Sequence, residues 1–349
     1  MYKVSQNKLD ELMQSLCRGK TVFAPEPEAR EDNTPEQFHL VRSGKWKPDR
    51  HTLAPYRSVE PLKSLVFRPR ELVGSSEKSR AEDMEERIVV GVKNCDLSAL
   101  KIHDHVFLES DPVDPFYREA REKTILVSCD CTDALNVCFC PAVNQQPHAE
   151  EGFDINIAPV EDFFLLESGS ERGAKLLEGA RELLEDAEDI LIAERDRRRE
   201  EMTRKVCRQT EETGLMCDSD FRKAVSSSME SDLWEDFARD CVECGACSFV
   251  CCTCHCFLLV DGKDREKLPA RVKNWDSCLT KNFARVAGGA NPRSHRAERL
   301  YNRFDKKFVF FPAVLGTYAC DGCGRCAEAC TGKIDIRDVL KTAVEAGKQ

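Results

Sequence analysis

Two short apolar runs stand out in the first third of the chain. Residues 88–92 and 124–127 are continuous, β-branched stretches, the pattern of strands buried on both faces of a sheet. Residues 97–106 between them have helical periodicity, and each strand ends at a polar turn that contains cysteine, at 93–96 and 128–131. The order strand–helix–strand predicts an α/β domain.

Helical periodicity predicts further elements along the chain. We expect a short amphipathic helix over residues 1–20. We expect a long helix over residues 171–206, where leucines and alanines recur at helical spacing. Two more helices are expected, at 231–240 and 295–304. Residues 24–37 are rich in proline and charge, which predicts a loop.

Glycine and serine over residues 207–230 predict a linker. The expected organisation is therefore α+β, with an α/β domain over residues 1–225 followed by a helical ferredoxin domain over residues 226–349. A helical ferredoxin is favoured over the small β–α–β type because the two cysteine motifs described below lie far apart in the chain.

Composition narrows the class of protein. The 349 residues carry 20 cysteines and a net charge of −10, which argues against a nucleic-acid surface and for metal ligation in a reducing compartment. No apolar run approaches the roughly 18 residues that span a bilayer, and the N-terminus does not resemble a signal peptide. We expect a cytoplasmic, soluble protein without disulfides.

Two stretches near the C-terminus share one cysteine spacing. Residues 241–251 and 320–330 both read C-x2-C-x2-C-x3-C, the run that holds [4Fe–4S] clusters in bacterial two-cluster ferredoxins. Glycines at 245, 322 and 324 let the backbone approach the inorganic sulfides. Structural zinc more often shows C-x2-C pairs separated by a longer span. The spacing therefore predicts two [4Fe–4S] clusters.

In two-cluster ferredoxins the fourth cysteine of each run ligates the other cluster. The first expected ligand set is Cys241, Cys244, Cys247 and Cys330. The second is Cys320, Cys323, Cys326 and Cys251.

Cysteines in the first domain raise the question of a third cluster. Cys95 and Cys129 follow the two predicted strands, at the edge where open α/β sheets bind ligands. With Cys138 and Cys140 they make four thiols for a third [4Fe–4S] cluster, with Cys131 to spare. The spacing matches no standard motif, and partly buried free thiols are the alternative.

Four more cysteines lie in or near the first motif. Cys252 and Thr331 each occupy the position where bacterial ferredoxins usually have proline. Cys254, Cys256 and Cys278 are interpreted as thiols that pack beside the clusters, with a further cluster as the less favoured alternative.

The chain resembles the iron–sulfur subunits of anaerobic sulfite reductase and the beta subunits of cytoplasmic sulfhydrogenases. The residues that carry the resemblance lie between about 88 and 335, at 91–100, 114–118, 138–140, 152–154, 275–278, 287–291 and 323–326. Many relatives have proline where Asn94 stands. The resemblance implies two [4Fe–4S] clusters in a helical ferredoxin domain and a place in a hetero-oligomer. The implied partners are a flavin subunit of the NAD(P)H reductase type and a terminal catalytic subunit, which is a hydrogenase, a sulfite reductase or a heterodisulfide-reductase-like module.

The leading functional hypothesis is an electron-transfer subunit with no substrate chemistry of its own. No G-x-G-x-x-G turn follows a strand and no P-loop motif occurs, so the flavin is expected in a neighbouring subunit. The alternative is a redox enzyme that reduces a small molecule at the third iron–sulfur site. A zinc-stabilised scaffold is the non-redox alternative.

Overall fold

The computed structural model describes residues 1–28, 35–75, 84–263 and 269–347. The chain divides into two compact units. The first unit comprises Met1–Val66, Ala81–Asn136 and Gln145–Val206. The second comprises Phe67–Arg80, Val137–Asn144 and Cys207–Gln349.

The first unit is built on a mixed sheet. Its strands are β1 (Tyr2–Ser5), β2 (Thr21–Glu28), β3 (Gln37–Ser43), β5 (Arg87–Val92), β6 (Thr124–Cys129), β7 (Ile155–Val160), β8 (Phe163–Ser168) and β9 (Glu185–Asp186). They lie in the order β3-β2-β5-β6-β7-β8-β1-β9, and β2, β5, β6 and β7 are parallel to one another. Every residue of β5 and β6 is buried, which confirms the two strands expected from their apolar runs.

Helices α1 to α5 belong to this unit, and α6 begins in it and ends at Glu211, beyond its last residue Val206. They are α1 (Leu9–Leu16), α2 (Lys63–Val66), α3 (Asn94–Phe107), α4 (Pro115–Glu122), α5 (Glu171–Gly179) and α6 (Asp189–Glu211). Helix α3 confirms the helix expected between the two strands. It connects the parallel strands β5 and β6, so the unit contains the predicted β–α–β arrangement.

The prediction of a helix over residues 1–20 is wrong for the first residues of that range. Residues Tyr2–Ser5 form β1, which pairs antiparallel with β8, and only Leu9–Leu16 are α-helical. The single helix expected over residues 171–206 is also wrong, because α5 and α6 are separated by β9, which pairs with β1. Pairing with a strand distant in sequence thus overrides the local helical period.

The loop expected over residues 24–37 is wrong for its first part. Ala24–Glu28 belong to β2, which pairs with β3 on one side. On the other side β2 pairs with β5 only over Thr21–Phe23. Pro25 and Pro27 lie beyond that stretch, at an edge where a missing N–H breaks no ladder bond. Residues 29–34 of the expected loop lie outside the described residues.

The second unit combines helices with a small antiparallel sheet. Its strands are β4 (Arg70–Ser75), β10 (Phe257–Lys263) and β11 (Pro269–Trp275), in the order β10-β11-β4. Its helices are α7 (Phe221–Ser227), α8 (Leu233–Arg239), α9 (Ala246–Phe249), α10 (Arg296–Asp305), α11 (Phe311–Leu315), α12 (Arg325–Glu328) and α13 (Ile336–Ala346), and a π-helical segment, Lys306–Phe310, joins α10 to α11. Helices α8 and α10 confirm the helices expected at 231–240 and 295–304.

The core of the second unit lies between α7, α8, α10 and α13. Phe304 stacks on Phe308 there and meets Trp234 at a tilted angle, and Val339 and Leu340 belong to the same core. The linker expected over residues 207–230 is wrong, because α6 extends to Glu211 and α7 occupies Phe221–Ser227. The expectation that disulfides are absent is wrong for one pair, since the structure joins Cys207 to Cys217.

The predicted α+β architecture is confirmed, with the mixed sheet in the first unit and the cysteine motifs among the helices of the second. Within the described part of the chain, no helix is both long and apolar enough to cross a membrane.

Candidate metal centre

The first cysteine motif forms a tight loop between α8 and α9. Glu243 and Gly245 adopt left-handed backbone conformations, with φ values of 57° and 74°. A Cβ atom on Gly245 would lie 3.1 Å from both the Phe249 ring and the Ser277 side chain. The loop can therefore curl on itself because glycine stands at its sharpest turn.

The second motif forms a similar loop before α12. Gly322 has a φ of 63°, and a Cβ atom there would lie 2.4 Å from the backbone nitrogen of Cys140. The Phe139 N–H donates to the Gly322 carbonyl at 2.8 Å, and the Cys138 thiol lies 4.0 Å from the Cys323 carbonyl oxygen. The segment Val137–Asn144 thus packs directly on the second loop, within the same unit.

Three thiols of the first loop and two of the second line a common cavity. Its walls include Cys241, Cys244, Cys247 and Cys330, together with Cys326. The Ile334 N–H donates to the Cys330 sulfur at 3.3 Å, as backbone amides do towards the sulfurs of iron–sulfur clusters. The cavity brings together the four residues of the first expected ligand set.

The cysteines of the second expected set influence one another electrostatically. Burial raises the pKa of Cys320, and the neighbouring Cys326 and Cys251 raise it further. Burial likewise raises the pKa of Cys326 to about 12, with contributions from Cys251 and Cys323. Uncharged thiols are favoured where no metal balances their charge, and a bound cation would reverse that preference.

The two sets differ in exposure. Cys244 is exposed and its neighbour Val242 is 60% exposed. Cys251, Cys320 and Cys323 are at most 8% exposed. A cluster on the first set would therefore lie near the surface, and one on the second set would be shielded from water.

Two cations are buried beside these thiols. Arg303 and Lys307 are each 5% exposed. The Lys307 ammonium donates to Thr253 Oγ1 and to the Ala319 carbonyl, both at 2.7 Å, and lies 3.4 Å from Cys251 Sγ. The Arg303 guanidinium donates to the Cys247 carbonyl at 3.0 Å and lies 3.4 Å from Cys254 Sγ.

Burial lowers the pKa of Lys307, but the neighbouring side chains of Cys251 and Cys254 raise it above its ordinary value. Asp321 is also buried, and burial raises the pKa of its carboxyl well above the usual range. It accepts a hydrogen bond from the Cys252 thiol at 3.3 Å.

These features fit negatively charged iron–sulfur clusters. Buried cations are normally compensated by anions, and each loop contributes several thiols that become thiolates when they ligate iron. The buried cations Arg303 and Lys307 therefore place positive charge beside the expected cluster ligands, as negatively charged clusters require.

Arg299 fixes the first loop from the side of α10. Its side chain is 1% exposed and forms an ion pair of 2.6 Å with Glu243. The same guanidinium donates to the carbonyls of Leu279, Arg293 and Ser294. The ion pair joins the first loop to α10 at Glu243, which has a left-handed backbone conformation.

Replacing Arg299 with alanine is expected to lower the free energy of unfolding by about 3 kcal/mol or more, because it leaves Glu243 and three carbonyls without their buried partner. The iron content should fall through loss of the first cluster. Arg239→Ala is the matched control, since it removes an exposed ion pair with Asp236 and should cost at most about 1 kcal/mol. Chemical unfolding and iron analysis check both, and equal effects of the two changes would contradict this role of Arg299.

The remaining cysteines of this region lie close to the two loops. The Cys252 sulfur is 3.8 Å from that of Cys323. Cys256 and Cys278 share a hydrogen bond, which lowers the pKa of Cys278. His255 Nδ1 donates a hydrogen bond to the Thr253 carbonyl at 3.1 Å, and the ring meets that of Phe311 edge to face.

The four cysteines of the third expected site are divided between the two units. Cys95 is in the first turn of α3 and Cys129 is the last residue of β6, both in the first unit. Cys138 and Cys140 belong to the second unit, against the second loop.

Lys93 donates to the Asp130 carbonyl at 3.2 Å. Burial raises the pKa of Cys129 and the nearby Lys93 offsets part of that rise.

Comparison with known proteins identifies the cysteine-rich region. Residues 240–334 match the 4Fe-4S dicluster domain family. The chain is also 29% identical to Sulfhydrogenase 2 subunit beta of Pyrococcus furiosus over 287 residues, which are 81% of this chain and 83% of that protein. The resemblance to sulfhydrogenase beta subunits is thereby confirmed, and the region carries [4Fe–4S] cofactors.

Proposed function

We propose that this chain is an electron-transfer subunit that carries two [4Fe–4S] clusters. The first is assigned to Cys241, Cys244, Cys247 and Cys330, and the second to Cys320, Cys323, Cys326 and Cys251. The observation that carries the proposal is the cavity in which Cys330 of the second motif joins three cysteines of the first. That arrangement supports the exchange of fourth ligands that the motif shows in two-cluster ferredoxins.

Clusters of this kind accept and release single electrons without binding substrate when every iron has a protein ligand. The chain contributes the thiol ligands, the buried surroundings of Cys251, Cys320 and Cys323, and the exposed edge at Val242 and Cys244. The exposed edge is suited to electron exchange with another protein, whereas the buried set is protected from water. We therefore assign no catalytic residue to this chain.

The partners are inferred from the related protein. Its name describes a beta subunit of a sulfhydrogenase, so we propose that this chain works in a hetero-oligomer and outside the membrane, in the cytoplasm. Electrons would pass between a flavin subunit of the NAD(P)H reductase type and a terminal catalytic subunit. Among the expected terminal subunits, the relative favours a hydrogenase over a sulfite reductase or a heterodisulfide-reductase-like module.

A third cluster on Cys95, Cys129, Cys138 and Cys140 is a second candidate, and with it a reductase activity of the first domain. It is favoured by the position of Cys95 and Cys129 after the parallel strands β5 and β6, at the edge where α/β sheets bind ligands. Iron content separates the alternatives, since two clusters require about eight irons per chain and three about twelve.

The ligand assignment is tested with pairs of cysteine-to-alanine variants prepared anaerobically. Because Cys244 and Cys330 are assigned to one cluster, the double variant should lose only that cluster and retain about four irons. The double variant Cys244→Ala with Cys251→Ala should lose both clusters. Iron and sulfide analysis and the EPR signals of the reduced protein measure the difference.

Loss of both clusters in the first double variant, and of only one in the second, would show that each motif binds its own cluster. The variant Cys17→Ala is the control, because Cys17 is a buried thiol of the first unit outside every assigned ligand set. Wild-type protein that binds no iron after anaerobic preparation would disprove the proposed function as a whole.

A further inference from the structure

A stripe of cations runs along α10 into the π-helical segment that follows it. Arg299, Arg303 and Lys307 recur every four residues and all three are buried. π-Helical turns within helices often occur at functional sites. The positive charge of Arg299 is balanced by an ion pair with Glu243.

Arg303 and Lys307 have no such carboxylate partner among the described residues. Their hydrogen bonds end on hydroxyls, carbonyls and the sulfurs of Cys251 and Cys254. The buried Asp321 carboxyl is hydrogen-bonded instead to the Cys252 thiol, at 3.3 Å. Two unpaired buried cations are strongly unfavourable in a protein interior unless another anion balances them.

The cluster ligands supply the buried negative charge that these two cations require. Lys307 lies 3.4 Å from the sulfur of Cys251, which the proposed function assigns to the second cluster. Arg303 donates to the carbonyl of Cys247, a ligand of the first. Each cation is thus anchored beside a different ligand set.

We propose that Lys307 tunes the reduction potential of the second cluster by stabilising its reduced form. This inference rests on the proposed function. Reduction adds one electron, and with it one negative charge, to the cluster. A fixed positive charge beside a ligand sulfur favours that state and so raises the potential.

The electron is supplied by the reduced donor subunit and leaves to the acceptor subunit. No bond forms or breaks at Lys307, and its ammonium remains positively charged throughout. Its hydrogen bonds to Thr253 and Ala319 hold it in place in both states. Lys307 is therefore a tuning residue and not a cluster ligand.

The test compares the full chain with variants at two adjacent lysines. Lys307→Met removes the buried charge and Lys307→Arg retains it. Lys306→Met is the matched control, because Lys306 is exposed. The midpoint potentials of the anaerobically prepared proteins are measured by EPR-monitored redox titration, with iron content determined on the same samples.

We expect Lys307→Met to lower the equilibrium constant for reduction of the second cluster about tenfold, which corresponds to 59 mV for one electron. Lys307→Arg and Lys306→Met should leave the potential close to that of the wild type. Because the charge is buried, the shift should persist at high ionic strength, where exposed charges are screened.

The proposal is overturned if iron-loaded Lys307→Met has the wild-type potential, or if Lys306→Met shifts it as far. Should Lys307→Met fail to hold iron, Lys307→Gln replaces it, because its amide can still donate to Thr253 and Ala319. Loss of iron in both neutral variants but not in Lys307→Arg would overturn the tuning role in favour of a structural one. Each of these results differs from a wild-type protein without iron, which would refute the proposed function instead.

Discussion

Cys323→Ala should stop electron flow through the assembled complex while the protein still folds. Cys323 is 8% exposed in the second loop, and alanine removes its ligand atom with little change in volume. The second cluster should be lost, so the iron content should fall by about half, at four irons per cluster. A relay with one of its two centres missing has no continuous path for the electron.

Electron transfer from the reduced flavin subunit to the terminal subunit measures this effect. The terminal subunit should still react with an artificial low-potential donor, which bypasses the relay. Cys17→Ala serves again as a control for the loss of one buried thiol. A complex containing Cys323→Ala with normal electron flow would contradict the assignment of a relay to these ligands.

Candidate cluster ligands could be proposed from the sequence because the ligand spacing is local. Three thiols separated by two residues each must lie on one loop, whatever surrounds it. The exchange of Cys251 and Cys330 followed from the same motif, and the cavity containing Cys330 supports it. The buried strands β5 and β6 were likewise evident from continuous apolar runs.

Features that depend on distant pairing could not be predicted in the same way. Leucines and alanines continue the helical period through residues 176–191, so nothing local marks the interruption between α5 and α6. That interruption exists because Glu185 and Asp186 pair with Lys3 and Tyr2. The hairpin β10–β11 was missed although residues 257–260 are apolar, because a wholly helical ferredoxin domain was expected there.

The burial of three cations was not predicted from the sequence. Arg299 and Arg303 lie beside Leu300 and Phe304 on α10, and Lys307 follows in the π-helical segment. The sequence resembles an ordinary amphipathic helix with one charged face. The structure buries both faces. A regular four-residue spacing of cations directly before the second cysteine motif was the available signal.

The packing of Cys138 and Cys140 on the second loop could not be predicted from the sequence either. Both were grouped with Cys95 and Cys129 because all four follow or approach the predicted strand ends. The hydrogen bond from Phe139 N–H to the Gly322 carbonyl instead attaches this segment to the second loop. That contact joins residues far apart in the chain and leaves no local trace.

Gly322→Ala should disrupt the second cluster loop severely, because an alanine side chain would overlap with neighbouring backbone. Its Cβ would lie 2.4 Å from the Cys140 nitrogen, 2.5 Å from the Cys140 Cα and 2.6 Å from the Phe139 carbonyl carbon. These are backbone atoms, so no side-chain rotation can relieve the overlap. We expect a loss of about 3 kcal/mol or more in stability, together with loss of the second cluster.

Gly316→Ala separates this overlap from the conformational preference of glycine. Gly316 has a φ of 71°, close to the 63° of Gly322, but nothing lies within 4 Å of its added Cβ. Its substitution should therefore cost only the roughly 1–2 kcal/mol of a left-handed alanine and should retain the iron. Thermal unfolding and iron analysis of both variants measure the contrast. Equal losses in the two would mean that backbone conformation alone, and not the close packing of residues 139–140 on the loop, explains the requirement for glycine at 322.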